Sequence, residues 1–228
     1  MASSPLIAIV CSDRHRNGKT LLARTLVDFL LLEGHDPFVL DLGHPDGALR
    51  DYFPGRTALV DFAKIPGQMM VFDTILGAPG RDYVIDVPAP QLSRFCEAMG
   101  DLEFRAAANA AGFAVVVLYI VDEPHESLRS AVNVEEILKP DLFIPVANQF
   151  VGSALPEPVD GLTLTMERLD ADLAPIIGNR RFSFRTFRLG DESGVPLPLR
   201  AGLKSFLHGL IGGFREIEPE LSLSKLKS

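Results

Sequence analysis

The chain is short of positive charge, of cysteine and of long apolar runs, and each shortage removes a class of protein. Lys and Arg number 22 against 30 Asp and Glu, giving a formal net charge of −8. That balance argues against a broad basic surface for nucleic acid. The two cysteines, Cys11 and Cys96, supply neither a disulfide framework nor metal-ligand spacing. Such usage fits a reducing compartment. The five histidines are scattered, with no HExxH-like pair, so neither a structural nor a catalytic zinc is expected. No apolar run reaches the ~18 residues of a membrane span. The opening MASSPLIAIV lacks a basic n-region and its apolar stretch is short for a signal peptide. The expected compartment is therefore the cytoplasm. No internal repeat and no low-complexity segment interrupts the chain.

What is present reads as an α/β protein. With 228 residues, 47% hydrophobic and 23% charged, the composition suits one domain with one main core. PLIAIVC (5–11) is a continuous apolar run of the kind found in strands buried on both faces. Leu22, Leu26, Phe29 and Leu30 then form a helical stripe that Gly34 ends. PFVLDL (37–42), DYVIDV (82–87), FAVVVLYIV (113–121) and DLFIPVANQ (141–149) read as further strands. ESLRSAVNVEEILK (126–139) reads as a helix stopped before Pro140. Strands alternating with helices predict a three-layer, doubly wound, mostly parallel sheet with helices on both faces. A short helix is expected around GQMMVFDTIL, a loop or edge element over 150–166, and an edge strand over RFSFRTF (181–187), with Phe inward and Arg outward. A last helix carries Leu203, Phe206, Leu207, Leu210, Ile211 and Phe214 on one face, and the tail from about 217 to 228 reads as frayed.

The chemistry is concentrated in SDRHRNGKTLL (12–22). A phosphate loop needs a strand that delivers the backbone to a turn, amides that face the anion, and a helix that begins there with its positive dipole end. Strand 5–11, loop 12–18 and helix 18–33 supply that order. Lys19 is placed to reach β- and γ-phosphates and the Thr20 hydroxyl to hold Mg²⁺, with the amides of Asn17, Gly18 and Leu21 completing the cradle. The usual pattern is G-x-x-x-x-G-K-[ST], and Asp13 stands where its first Gly belongs. A side chain there crowds the turn and a carboxylate repels phosphate, while Arg14 and Arg16 add compensating charge.

On these residues the chain resembles the ParA/MinD family of P-loop ATPases, whose deviant Walker A motif reads K-G-G-x-G-K-[ST]. RHRNGKT puts Arg14 at the signature-lysine position, His15 and Arg16 at the two glycines and Asn17 at x. The resemblance implies that Arg14 reaches the partner's nucleotide across a dimer. DLGHPDG is similar to the family's D-x-D-P-Q, keeping Asp41 but placing Gly43 at the second acidic position; Asp46 lies three residues on. That acidic residue orients the attacking water in the family, so slow or impaired hydrolysis follows. YVIDVPAP resembles the segment in which Asp86 supports Mg²⁺, and FIPVANQF the strand end at which Asn148 hydrogen bonds the adenine edge. The resemblance covers most of residues 5–150. It implies ATP and Mg²⁺ as cofactors, Lys19 and Asp41 as catalytic residues, ATP/ADP as ligands, and a nucleotide-dependent homodimer acting as a positioning or partitioning switch.

Plainer readings stand beside these. Asp41 and Asp86 end strands and serve equally as caps. Asn148 is ordinary in a loop, and His15 and His44 are ordinary at a surface. Cys11 packs as a small hydrophobe. Arg180, Arg181, Arg185 and Arg188 with their phenylalanines form either a nucleic-acid or partner face or a plain edge strand. The last helix packs on the sheet or lies on a membrane. Two rival functions remain: a non-hydrolysing nucleotide-binding module, and a P-loop ligase or kinase of dethiobiotin-synthetase-like type.

Overall fold

The computed structural model describes residues 4–121, 124–152 and 161–227. In chain order its elements are β1 (Leu6–Cys11), α1 (Lys19–Leu32), β2 (Phe38–Asp41), α2 (Leu49–Tyr52), β3 (Thr57–Leu59), α3 (Ile65–Gly77), β4 (Tyr83–Asp86), α4 (Leu92–Asp101), α5 (Phe104–Ala110) and β5 (Ala114–Val121). There follow α6 (Pro124–Leu138), β6 (Leu142–Asn148), β7 (Leu164–Met166), α7 (Ala174–Ile177), α8 (Phe184–Arg188), α9 (Leu197–Arg215) and α10 (Ile217–Lys227). The seven strands form one sheet in the order β3-β2-β4-β1-β5-β6-β7. Every pairing in it is parallel.

The apolar runs read from the sequence are the central strands, and their unbroken hydrophobicity has a direct cause. Side chains alternate between faces along a strand, so a strand covered on both sides needs apolar residues at every position. In β1, Leu6, Ala8 and Val10 enter one core with α1, α8 and α9. Ile7, Ile9 and Cys11 enter the other with α3, α4, α5 and α6. All six α9 side chains expected on one face are buried against the first core. That resolves the choice between sheet and membrane packing, and no helix among the described residues is long and apolar enough to cross a membrane.

Two local expectations are corrected. Residues 181–187 are not an edge strand. Ser183 caps α8 by accepting from the Thr186 N–H at 3.2 Å. Phe184 and Phe187, three apart, are both buried. The sequence holds a period of two and a helical spacing at once. Capture of the Phe184 N–H by Asp28 Oδ2 at 2.9 Å settles it in favour of the helix. The tail likewise forms α10 up to Lys227. Ile217 and Leu221, one helical turn apart, pack on the core, and Glu218 and Glu220 in the first turn suit the positive end of the helix dipole. Within 150–166, residues 153–160 lie outside the described residues and Leu164–Met166 is the edge strand β7.

The site end of the sheet follows from the connections. From β1 the chain passes to β2 on one side, and from β4, the neighbour of β1, it passes to β5 on the other. In open parallel sheets a crevice opens where connections leave in opposite directions, outside the carboxyl ends of the strands. Cys11, Asp41, Asp86 and Asn148 are the last residues of β1, β2, β4 and β6, so four sequence-selected positions meet on that edge.

Candidate functional site

Residues 12–18 leave β1 and turn into α1, whose N-cap is Gly18. Gly18 has φ +95°, and a Cβ there would stand 2.8 Å from Asn148 Nδ2 and 3.2 Å from Met166 Cε. Both the backbone conformation and the space demand glycine. Arg16 also has a positive φ, 56°, an unusual conformation for a residue with a side chain.

Asn17 organises the loop. It is fully buried. Its Nδ2 donates to Ser12 Oγ at 2.5 Å, its Oδ1 accepts from Lys19 Nζ at 3.0 Å, and its carbonyl accepts from Asn148 Nδ2 at 2.7 Å. Lys19 also donates to the Arg14 carbonyl, so its ammonium spans the loop from inside. Ser12 Oγ accepts a second bond from the Arg14 N–H at 3.2 Å. At the head of α1 the first-turn amides, those of Lys19, Thr20 and Leu21, have no carbonyl one turn earlier within the helix. Leu21 itself is half-buried against the core, and its carbonyl accepts from Thr25 Oγ1 at 2.8 Å. His15 and Arg16 are exposed, and Arg14 is half-buried.

Asp13 is drawn away from the loop interior. Its N–H donates to the Tyr119 hydroxyl at 3.3 Å, and its Oδ1 accepts from Ser127 Oγ at 3.3 Å. These bonds fasten the departure from the usual glycine to β5 and α6. Sequence reasoning did not single out Ser12, Tyr119 or Ser127. Ser12 had a local signal, as a small hydroxyl at the first loop position; Tyr119 and Ser127 lie in LYIVDEPHESLRSA (118–131), a stretch similar to the family's following strand–loop–helix that does not mark them as partners of Asp13.

Asp41 and Asp86 are register partners on β2 and β4, yet their carboxylates meet different surroundings. Asp41 Oδ1 accepts from the Gly43 N–H at 2.9 Å and Oδ2 from the Leu49 N–H at 3.0 Å. It thereby closes the loop 43–49 on itself. A Cβ on Gly43 would lie 2.9 Å from Asp41 Oδ1, and one on Gly47 2.5 Å from it. Asp46 is exposed. Asp86 accepts from Thr20 Oγ1 at 2.8 Å through Oδ2, while its Oδ1 is buried without a hydrogen-bond partner. Burial pushes the Asp86 carboxyl up to about 7; the Asp41 charge adds to the rise, and the Thr20 hydroxyl and Lys19 ammonium oppose it. A hidden carboxylate oxygen with no donor, beside a hydroxyl and a lysine, is the arrangement a small oxygen-seeking cation completes.

Asn148 sits at the carboxyl end of β6. Besides holding the Asn17 carbonyl, it accepts from the Phe150 N–H at 3.0 Å through Oδ1. The structure thus brings Arg14, Asn17, Gly18, Lys19, Thr20, Leu21, Asp41, Asp86 and Asn148 to one edge of the sheet.

No family model matches the chain, and no curated protein matches it. Among solved structures it is similar to the MinC:MinD cell division protein complex of Aquifex aeolicus, at 17% identity over 95% of this chain and 96% of that one, with a TM-score of 0.50. It is also similar to the MinD cell division protein of the same organism, at 18% identity over 92% and 97% of the two chains, with a TM-score of 0.48. An identity of 17% speaks for architecture alone: the chain shares the parallel α/β fold of that MinC:MinD structure.

Proposed function

We propose that this protein is an ATP-binding switch of the ParA/MinD type, with ATP bound across the loop 12–20 and Mg²⁺ held by Thr20 and Asp86. The observation that carries the reading is Asp86: one oxygen on the Thr20 hydroxyl, the other buried and unpartnered, beside Lys19 and the head of α1. Lys19 is already an internal cation of the loop, and exchange of its Arg14 and Asn17 partners for phosphate oxygens keeps its charge compensated. The first-turn amides and the dipole of the 14-residue α1 supply the rest of the anion site. Mg²⁺ held by Thr20 and Asp86 would supply charge neutralisation to the bound triphosphate. Arg14, at the loop rim, is the residue that reaches a second protomer in the ATP-bound dimer.

The switch reading assigns hydrolysis a slow rate. The position that carries the second acidic residue in the family is Gly43, and Asp41 gives both oxygens to backbone amides of its own loop. That occupancy favours the second reading, a nucleotide-binding module that does not hydrolyse. Calorimetry tests the site: Lys19→Ala is expected to lose ATP binding by ~100-fold or more, the scale of a lost charge-assisted contact to phosphate. An unchanged affinity overturns the site. Turnover measured on the wild type then separates the slow switch from the silent module.

A further inference from the structure

Four arginines lie between residues 180 and 188, on a chain whose net charge is −8. Arg180 is paired with Asp51 of α2 at 2.9 Å. Arg181, Arg185 and Arg188 are exposed, and no carboxylate among the described residues pairs with them. Arg185 and Arg188 stand three apart on α8, and Arg181 lies just before its N-cap Ser183. Leu189, 68% exposed, follows directly.

This face is held rigidly from beneath. Asp28 of α1 accepts from the Phe184 N–H and from Ser183 Oγ. Arg24, one turn earlier and 3% exposed, donates to the carbonyls of Ile177 and Phe182. Its guanidinium lies 3.7 Å from the ring centre of Tyr52 and 4.7 Å from that of Phe184. The segment is therefore clamped to the phosphate-loop helix with Phe184 and Phe187 inward, which leaves the remaining side of α8 to solvent. The clamp also reaches the Asp41 loop. The Leu49 N–H that opens α2 is bound by Asp41. At its other end the Tyr52 hydroxyl donates to the Gly178 carbonyl at 3.1 Å, and Asp51 holds Arg180.

We propose that Arg181, Arg185 and Arg188 form a docking surface for an acidic protein segment, and that α2 links this surface to the Asp41 loop. The link rests on the nucleotide reading; the surface does not. Guanidiniums take carboxylates in bidentate fashion, and arginine beside an exposed apolar side chain is a composition favoured at protein interfaces. A nucleic acid is disfavoured, because the footprint is short and the field of the whole chain repels a long polyanion.

The test is fluorescence anisotropy with a short fluorescein-labelled peptide of Glu and Leu, and an oligonucleotide of equal charge as competitor. Wild type is expected to bind the peptide, more weakly at high salt, and Arg185→Glu/Arg188→Glu to lose about tenfold or more in affinity. Arg185→Gln/Arg188→Gln, which removes charge without reversing it, is expected to fall between; circular dichroism checks that both variants are folded. Absent binding, equal binding by the variants, or tighter binding of the oligonucleotide overturns the surface. For the link, ATP with Mg²⁺ is expected to shift peptide affinity in wild type and not in Asp51→Asn/Tyr52→Phe. If calorimetry shows ATP bound while peptide affinity stays put, the link fails and the surface stands. If calorimetry shows no ATP bound, the nucleotide reading fails and the link with it, while the peptide titrations still decide the surface.

Discussion

Asp41 and Asp86 end neighbouring parallel strands in the same register, yet one is occupied and the other is waiting. Asp41 is bonded by two amides of the loop it closes, and no shortage of donors remains. Asp86 has one hydroxyl donor and one buried oxygen with none. The first arrangement is that of a residue that builds structure. The second stores an unmet demand, which evolution tolerates where a ligand meets it. Position at a strand end is therefore a weak indicator of role; the count of donors around each carboxylate discriminates.

The largest expected effect on stability comes from the occupied member. Asp41→Ala leaves the Gly43 and Leu49 amides without acceptors and is expected to cost ~2–4 kcal/mol in urea denaturation, from the desolvation of unpaired buried groups. A loss near zero would break the contrast by showing that the loop holds without its carboxylate. Next comes Gly43→Asp, which restores the acidic residue of the family pattern. Its Cβ meets Asp41 Oδ1 at 2.9 Å, and the new charge faces an existing one. The expected result is a loss of ~1–3 kcal/mol with no gain in ATP turnover; a faster ATPase would show instead that the missing carboxylate alone limits hydrolysis.

The sharpest effect for Asp86 is on pH dependence. Its carboxyl is raised from 3.8 to about 7 in the fold. Between those values the folded chain binds more protons than the unfolded one, so the contribution of this group to stability falls as pH rises from about 4 to about 7 and levels off above. In metal-free buffer the decline is expected to stay below ~1.4 kcal/mol per pH unit. Asp86→Asn should flatten it while abolishing any stabilisation by Mg²⁺ with ATP. An unchanged slope in thermal melts of that variant would assign the titration to another group.

The central strands, α1, α6 and α9 were legible because their burial is written as period: continuous apolar runs for strands covered twice, and a stripe at helical spacing for helices covered once. The loop 12–20 was legible because its strand–turn–helix order is local in the chain. Less legible were residues 181–187, where two periods coexist, and the tail, where Ile217 and Leu221 face the core. Ser127 and Tyr119 were invisible as loop partners, since they lie more than a hundred residues from Asp13 and nothing in the chain pairs them with it. The same holds for the clamp of Arg24 and Asp28 on 177–184, which the α1 stripe conceals among apolar neighbours.

The sequence by itself determined the parallel α/β architecture and the place of the loop between β1 and α1, because alternation, helical period and the glycine-lysine-threonine turn are properties of neighbouring residues. Tertiary structure alone decided which carboxylate is satisfied, where Asp13 turns, and which arginines face solvent. Those outcomes depend on hydrogen-bond donors and ring faces that arrive from distant parts of the chain, and no short stretch of residues encodes who will stand opposite.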